Sequence, residues 1–131
     1  MSTSGLGSRA VSAVLSSTDL AKSQEFYEEQ VGLELSPKTV TNHLLFECGD
    51  GTTLLVYGRP IPNAAEHTQV RFWSSDVEAD VRELRSRGVV FEEYDYPALK
   101  TVGGIARTPG IGTSAWFKDP DGNTLALFQP E

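Results

Sequence analysis

Short segments with apolar residues at alternate positions mark the strands of this chain. Val11 to Ser16 and Gln69 to Trp73 each run into a Ser/Thr/Asp cluster, while Thr53 to Tyr57 and Thr124 to Phe128 each follow a turn containing Asp-Gly. After each cluster the period lengthens. Val77, Val81 and Leu84 recur at i, i+4 and i+7, and Leu20, Ser23 and Tyr27 lie on one stripe with Phe26 beside it, so the spacing predicts one helix after Asp19 and another after Asp76. Each aspartate offers a side-chain oxygen to the first unbonded amides, and Gly32 and Gly88 suit the left-handed residue that ends a helix.

The same order is written twice. Asp19 aligns with Asp76 and, after a one-residue slip, Gly32 with Gly88; the hairpins align at Phe46 with Phe117 and Asp50 with Asp121. Shorter apolar stretches follow each helix, Val89 to Phe91 being the clearest, so each unit reads strand, helix, three strands. The modules cover about 10–58 and 68–129 of one domain spanning 1–131, and the two prolines and missing period of RPIPNAAEH make 59–67 the linker between them. The second module has an extra stretch, 94–112, since Asp121 lies 45 positions after Asp76 while Asp50 lies only 31 after Asp19. It reads as a long loop, either a lid or a surface connection.

Alternation sorts the strands into two faces. One collects Val11, Ala13, Leu15, Leu54, Val56, Val70, Phe72, Leu125 and Leu127, is wholly apolar, and is expected to lie under the helices. The other collects Ser12, Val14, Ser16, Thr53, Leu55, Tyr57, Gln69, Arg71, Trp73, Thr124, Ala126 and Phe128. This mixture suits the lining of a small-molecule pocket; the alternative is a face left in water, which would expose Tyr57, Trp73 and Phe128 as a large apolar patch.

With 131 residues, 39% hydrophobic and 22% charged, the chain can bury one core. A net charge of −7 without any basic run argues against nucleic acid and anionic membrane as partners. No window has the length of a membrane span or the apolar core of a signal peptide, so a cytoplasmic protein is expected. The single cysteine, Cys48, excludes an internal disulfide or CxxC site and reads as a small buried hydrophobe.

The duplicated module, the segment DLAKSQEFYEEQVGLEL at 19–35 and the ending FKDPDGNTLALFQ at 117–129 resemble the vicinal oxygen chelate superfamily, which holds the glyoxalase I, bleomycin-resistance and extradiol-dioxygenase types. The resemblance runs from about residue 10 to 129. It implies an α+β fold in which two tandem βαβββ modules form a curled, half-barrel mixed sheet with helices on the convex side, a concave cleft, and a homodimer. In the metalloenzymes of that family, a residue from the first strand and one from the last strand of each module hold the metal, positions that fall here on Ser12, Leu55, Gln69 and Ala126. A hydroxyl, two hydrocarbons and a neutral amide are not the donors that divalent transition metals ordinarily take, so neither metal nor cofactor is expected.

Several other residues carry chemistry. His43 and His67 are the only histidines and occupy none of those positions, although His67 would share the mixed face if its strand began early. Arg71, the one full charge sorted onto that face, would either orient a ligand carboxylate or pair with an acid such as Glu66. Asp119, Asp121 and Asn123 fit turn chemistry, and the glycines of 102–112 match no phosphate-binding pattern.

The expected function is metal-free binding of a small organic ligand in the cleft, lined by Ser12, Val14, Leu55, Tyr57, Gln69, Arg71, Trp73, Trp116, Ala126 and Phe128. The alternative is a lyase or other glyoxalase-type enzyme acting on a small oxygenated substrate. For that the mixed face offers no base, and Glu47, Glu92, Glu93 and Asp95 have no assigned place. A third is an interaction module with the mixed face as its dimer contact.

Overall fold

A computed structural model describes residues 5–131. Strand β1 (Ala13–Ser17) leads to Asp19, whose Oδ1 accepts a hydrogen bond from the Lys22 amide at 3.2 Å and opens helix α1 (Leu20–Glu25). The helix continues as a wider π-helical segment, Phe26–Val31, which turns both Phe26 and Tyr27 inward before Gly32, at φ 86°, ends it. Strands β2 (Glu34–Leu35), β3 (His43–Glu47) and β4 (Thr53–Gly58) complete a sheet ordered β1-β4-β3-β2.

The second module repeats the plan. Strand β5 (Thr68–Trp73) precedes Asp76, which accepts from the Ala79 amide at 3.1 Å and opens α2 (Val77–Ser86). A small hairpin of β6 (Asp95–Tyr96) and β7 (Leu99–Lys100) follows. Then β8 (Ile105–Thr108), β9 (Gly112–Lys118) and β10 (Thr124–Pro130) form with β5 a sheet ordered β5-β10-β9-β8. In both sheets the first strand lies parallel to the last and every other pairing is antiparallel. The fold is therefore α+β, two βαβββ modules as the sequence predicts, and no barrel closes among the described strands.

Three expectations are corrected. Val89 to Phe91 makes only an isolated bridge, Phe91 to Phe117, because Val89 and Phe91 are drawn into the core. The edge of the second sheet is taken instead by β8, so the insertion at 94–112 is a hairpin and an edge strand rather than a loop. Val11 precedes β1 and is 86% exposed, which removes it from the covered face.

The remaining inner-face residues pack against the helices in one cluster that includes Leu15, Phe46, Leu54, Val56, Phe117, Leu125 and Leu127. The first helix reaches both sheets: the Tyr27 ring lies 5.5 Å from Phe46, and the Phe26 ring 6.3 Å from Phe117. Polar bonds cross the same junction. The Tyr27 hydroxyl donates to Asp119 Oδ2 at 2.7 Å, and Asn123 Nδ2 donates to that oxygen and to the Ser16 carbonyl. The Thr18 amide and hydroxyl donate to Asp121 Oδ1 at 2.9 and 2.6 Å. Burial, reinforced by the Asp119 charge, pushes the Tyr27 hydroxyl far above its ordinary range, so it stays a donor at every relevant pH. Asp119 also accepts from the Asp121 and Asn123 amides, so these residues shape the turn and pin the modules together.

Candidate functional site

Because one face of each sheet lies under the helices, the other is open. On the second sheet, register places Arg71 beside Ala126 and Ala126 beside Trp116. The next rung holds Trp73, Phe128, Ser114 and Ala106, and at the other end Thr124 stands beside Lys118. Ala126 is the key to the shape. Its methyl leaves room for the Trp116 indole to reach across β10 and donate from Nε1 to Thr68 Oγ1 on β5 at 3.0 Å. The result is a hollow of about 410 Å³, lined by Thr68, Gln69, Val70, Arg71, Ile111, Ser114, Trp116, Ala126 and Phe128, all from the second module.

Arg71 is exposed, with its guanidinium carbon 4.4 Å from the Phe128 ring centroid and 5.0 Å from that of Trp73. The guanidinium thus lies over both rings, which are themselves edge-on to each other at 5.6 Å. Among the described residues it makes no ion pair, with Glu66 or any other acid. Gln69 Oε1 accepts from the Thr124 amide at 2.6 Å, which fixes the side chain, while its Nε2 is buried without a partner among the described residues. An unmet buried donor costs roughly 1–3 kcal/mol, a cost that an incoming acceptor relieves. Beyond Trp116 stands Tyr94, edge-on at 5.5 Å, with Tyr96 stacked behind it. Burial and the nearby Glu92 charge raise the Tyr94 hydroxyl above its usual value. Glu93 accepts from the Thr101 hydroxyl and the Gly104 amide, bonds that hold its carboxyl below the usual range and tie down the inserted hairpin.

The open face of the first sheet is built differently. Val14, Leu55 and Leu45 share a rung, His43 stands beside Tyr57, and Glu47 beside Thr53. His43 Nδ1 lies 2.9 Å from the Thr41 carbonyl oxygen, which can only accept, so Nδ1 carries the proton and Nε2 holds the free lone pair of the neutral ring.

Of the residues expected in a cleft, Gln69, Arg71, Trp116, Ala126 and Phe128 line the one hollow. Val14, Leu55 and Tyr57 lie on the first sheet, and Ser12 is exposed ahead of β1. Trp73, 69% exposed, stands at the rim and lines neighbouring hollows instead. Two sequence expectations are corrected here. Arg71 is not the only charge on the mixed face, because Lys118 shares it, donating to Thr124 Oγ1 at 2.8 Å. Nor does that face lack a base, since His43 and Glu47 belong to it. Parity assigns both corrections, since His43 and Glu47 lie an odd number of positions from the core residue Phe46, and Lys118 lies one from the core residue Phe117. His67 is exposed and precedes β5, and burial pushes the Cys48 thiol up, as suits a half-buried hydrophobe.

A model of the Glyoxalase/Bleomycin resistance protein/Dioxygenase superfamily matches residues 9–127. The chain belongs to this superfamily. Solved structures of similar fold include TnmS3, an antibiotic binding protein from Streptomyces sp. CB03234, with 25% identity, 94% of this chain and 98% of that one covered, and a TM-score of 0.62. A bleomycin-binding protein complexed with bleomycin has 23% identity over 94% and 99% of the two chains, with a TM-score of 0.71. The genomically encoded fosfomycin resistance protein FosX from Listeria monocytogenes has 16% identity over 94% and 93%, with a TM-score of 0.70. No curated protein matches the chain by sequence.

Superfamily metalloenzymes supply the remaining test of the site. At the positions expected to hold a metal, Leu55 and Ala126 have no donor atom, Ser12 precedes its strand, and the one acceptor oxygen of Gln69 is already bonded to Thr124. Among the described residues no group of three or more His, Cys, Asp or Glu is placed to hold a metal ion. The donors present do not fit one.

Proposed function

We propose that this superfamily member binds a small organic ligand over the open face of its second module, without a metal. The observation that carries the reading is the hollow of about 410 Å³, walled by Trp116 and Phe128, with the Arg71 guanidinium held over Phe128. The likeness to an antibiotic binding protein at 25% identity supports a drug-sized ligand. Tryptophan emission tests it. Titration with a panel of amphipathic aromatics is expected to change the signal of the protein and of Trp73→Phe, with a smaller change in Trp116→Phe. An unchanged spectrum across the panel overturns the reading.

The proposal includes a homodimer, supported by Val14 and Trp73, which are 52% and 69% exposed on the open faces and suit cover by a second copy. Sedimentation is expected to give twice 14.3 kDa, and a monomer at micromolar concentration contradicts it.

A second reading, a lyase-type enzyme, is favoured by one observation: His43 holds a free Nε2 beside Tyr57 with Glu47 on the same face. It expects turnover of a small oxygenated substrate, such as the methylglyoxal–glutathione adduct, that His43→Gln abolishes.

A further inference from the structure

We propose that the second-module hollow selects anionic ligands: a planar aromatic acid whose carboxylate is held by Arg71 and whose ring lies along the Trp116 indole. The inference rests on the binding reading above and names its ligand class. The whole chain carries a charge of −7, yet among the described residues none of the four strands of the second sheet places a carboxylate on its open face. Two cations, Arg71 and Lys118, stand there instead. Lys118 is already engaged with Thr124, which leaves Arg71 as the cation available to a ligand.

Geometry restricts what Arg71 can take. Held over Phe128 and Trp73 and exposed, with no ion pair among the described residues, its guanidinium has paired N–H donors that match the two oxygens of a carboxylate. Across β10, the Trp116 indole reaches over Ala126 as far as Thr68 on β5, which makes it a flat wall of the same hollow that Arg71 lines. A fused bicyclic ring with one acidic substituent suits such a wall beside a cation. Gln69 precedes Arg71 by two residues on the same face, and its unpartnered Nε2 is a second donor on the hollow's floor. Glu92 lies on the far side of Trp116, where its amide donates to the Trp116 carbonyl, so the anionic end of a ligand is directed toward Arg71.

The experiment is calorimetric titration of the full chain with 2-naphthoate, its neutral isostere 2-naphthamide and the cation 2-naphthylmethylammonium. Naphthoate is expected to bind about tenfold or more tightly than the amide, with the cation weakest. Arg71→Gln is expected to remove that preference, weakening naphthoate far more than naphthamide. Gln69→Glu, which keeps the acceptor for Thr124 but replaces the donor by an anion, is expected to weaken naphthoate selectively. Equal affinity for naphthoate and naphthamide, or equal weakening of both by Arg71→Gln, overturns the anion preference and leaves the binding reading standing. Failure of all three probes to bind overturns both.

Discussion

The two modules share a backbone plan but differ at equivalent positions of their open faces. Where the first sheet has Val14, Leu55 and Leu45 in a row, the second has Arg71, Ala126 and Trp116; Glu47 is answered by Lys118, and His43 by Ser114. Exchanging leucine for alanine at the centre of the row creates the hollow, and exchanging valine for arginine gives it a charge. Duplication has preserved the inner faces, Phe46 matching Phe117 and Leu54 matching Leu125, because both must pack against helices. The open faces carry no such packing constraint, and there the copies have diverged toward different chemistry.

The largest effects are expected where the modules are alike. Phe46→Ala and Phe117→Ala each remove a fully buried ring from the common cluster and are expected to cost about 3–5 kcal/mol in urea unfolding, within one transition. Two separate transitions would show that the modules do not share a core. Next comes the junction, which is one-sided. Tyr27 bonds to Asp119, whereas the positions equivalent to this pair are Leu84 and Cys48. Tyr27→Phe is expected to cost about 1–2 kcal/mol in unfolding free energy, and a cost near zero would mean that the apolar packing alone joins the halves.

Exchange of open-face residues sharpens the contrast further. Ala126→Leu is expected to push aside the Trp116 indole and weaken 2-naphthoate by about tenfold, at a cost of about 1–3 kcal/mol in stability, while Leu55→Ala in the first module leaves naphthoate affinity alone. Equal effects of the two substitutions would erase the distinction between the faces.

The smallest effect concerns acid. Burial tends to raise Asp121, but the Thr18 hydroxyl and amide, helped by Ser17 and Ser23, outweigh it and hold the carboxyl below its usual value. A lowered folded-state value means that the stabilisation is present above the ordinary carboxylate range and is lost as pH falls below about 4. Asp121→Asn is therefore expected to flatten the acid limb of a stability profile, and an unchanged limb contradicts the assignment.

Much of this was legible in the chain. Strand alternation, the helix stripe of Val77, Val81 and Leu84, and the repeated Asp-Gly hairpins give two modules because each feature is local and occurs twice. Five of the expected site residues line one hollow for the same reason: parity along β5, β9 and β10 decides which way they point. What was hidden depends on distance. The Tyr27–Asp119 bond joins residues 92 positions apart, and no local pattern reveals it. Strand β8 lies in a glycine-rich stretch whose pairing with β9, not its composition, makes it a strand. Lys118, His43 and Glu47 were readable in principle, since Phe117 and Phe46 fix the parity of their strands.

A titration followed by amide and side-chain NMR of the labelled protein with 2-naphthoate tests most directly whether the second module's face is where a ligand sits. The largest shifts are expected at the Trp116 indole, Arg71, Gln69, Ala126 and Phe128. Shifts centred on His43, Leu45, Leu55 and Tyr57, with Trp116 and Arg71 unmoved, would place the ligand on the other module and contradict the assignment.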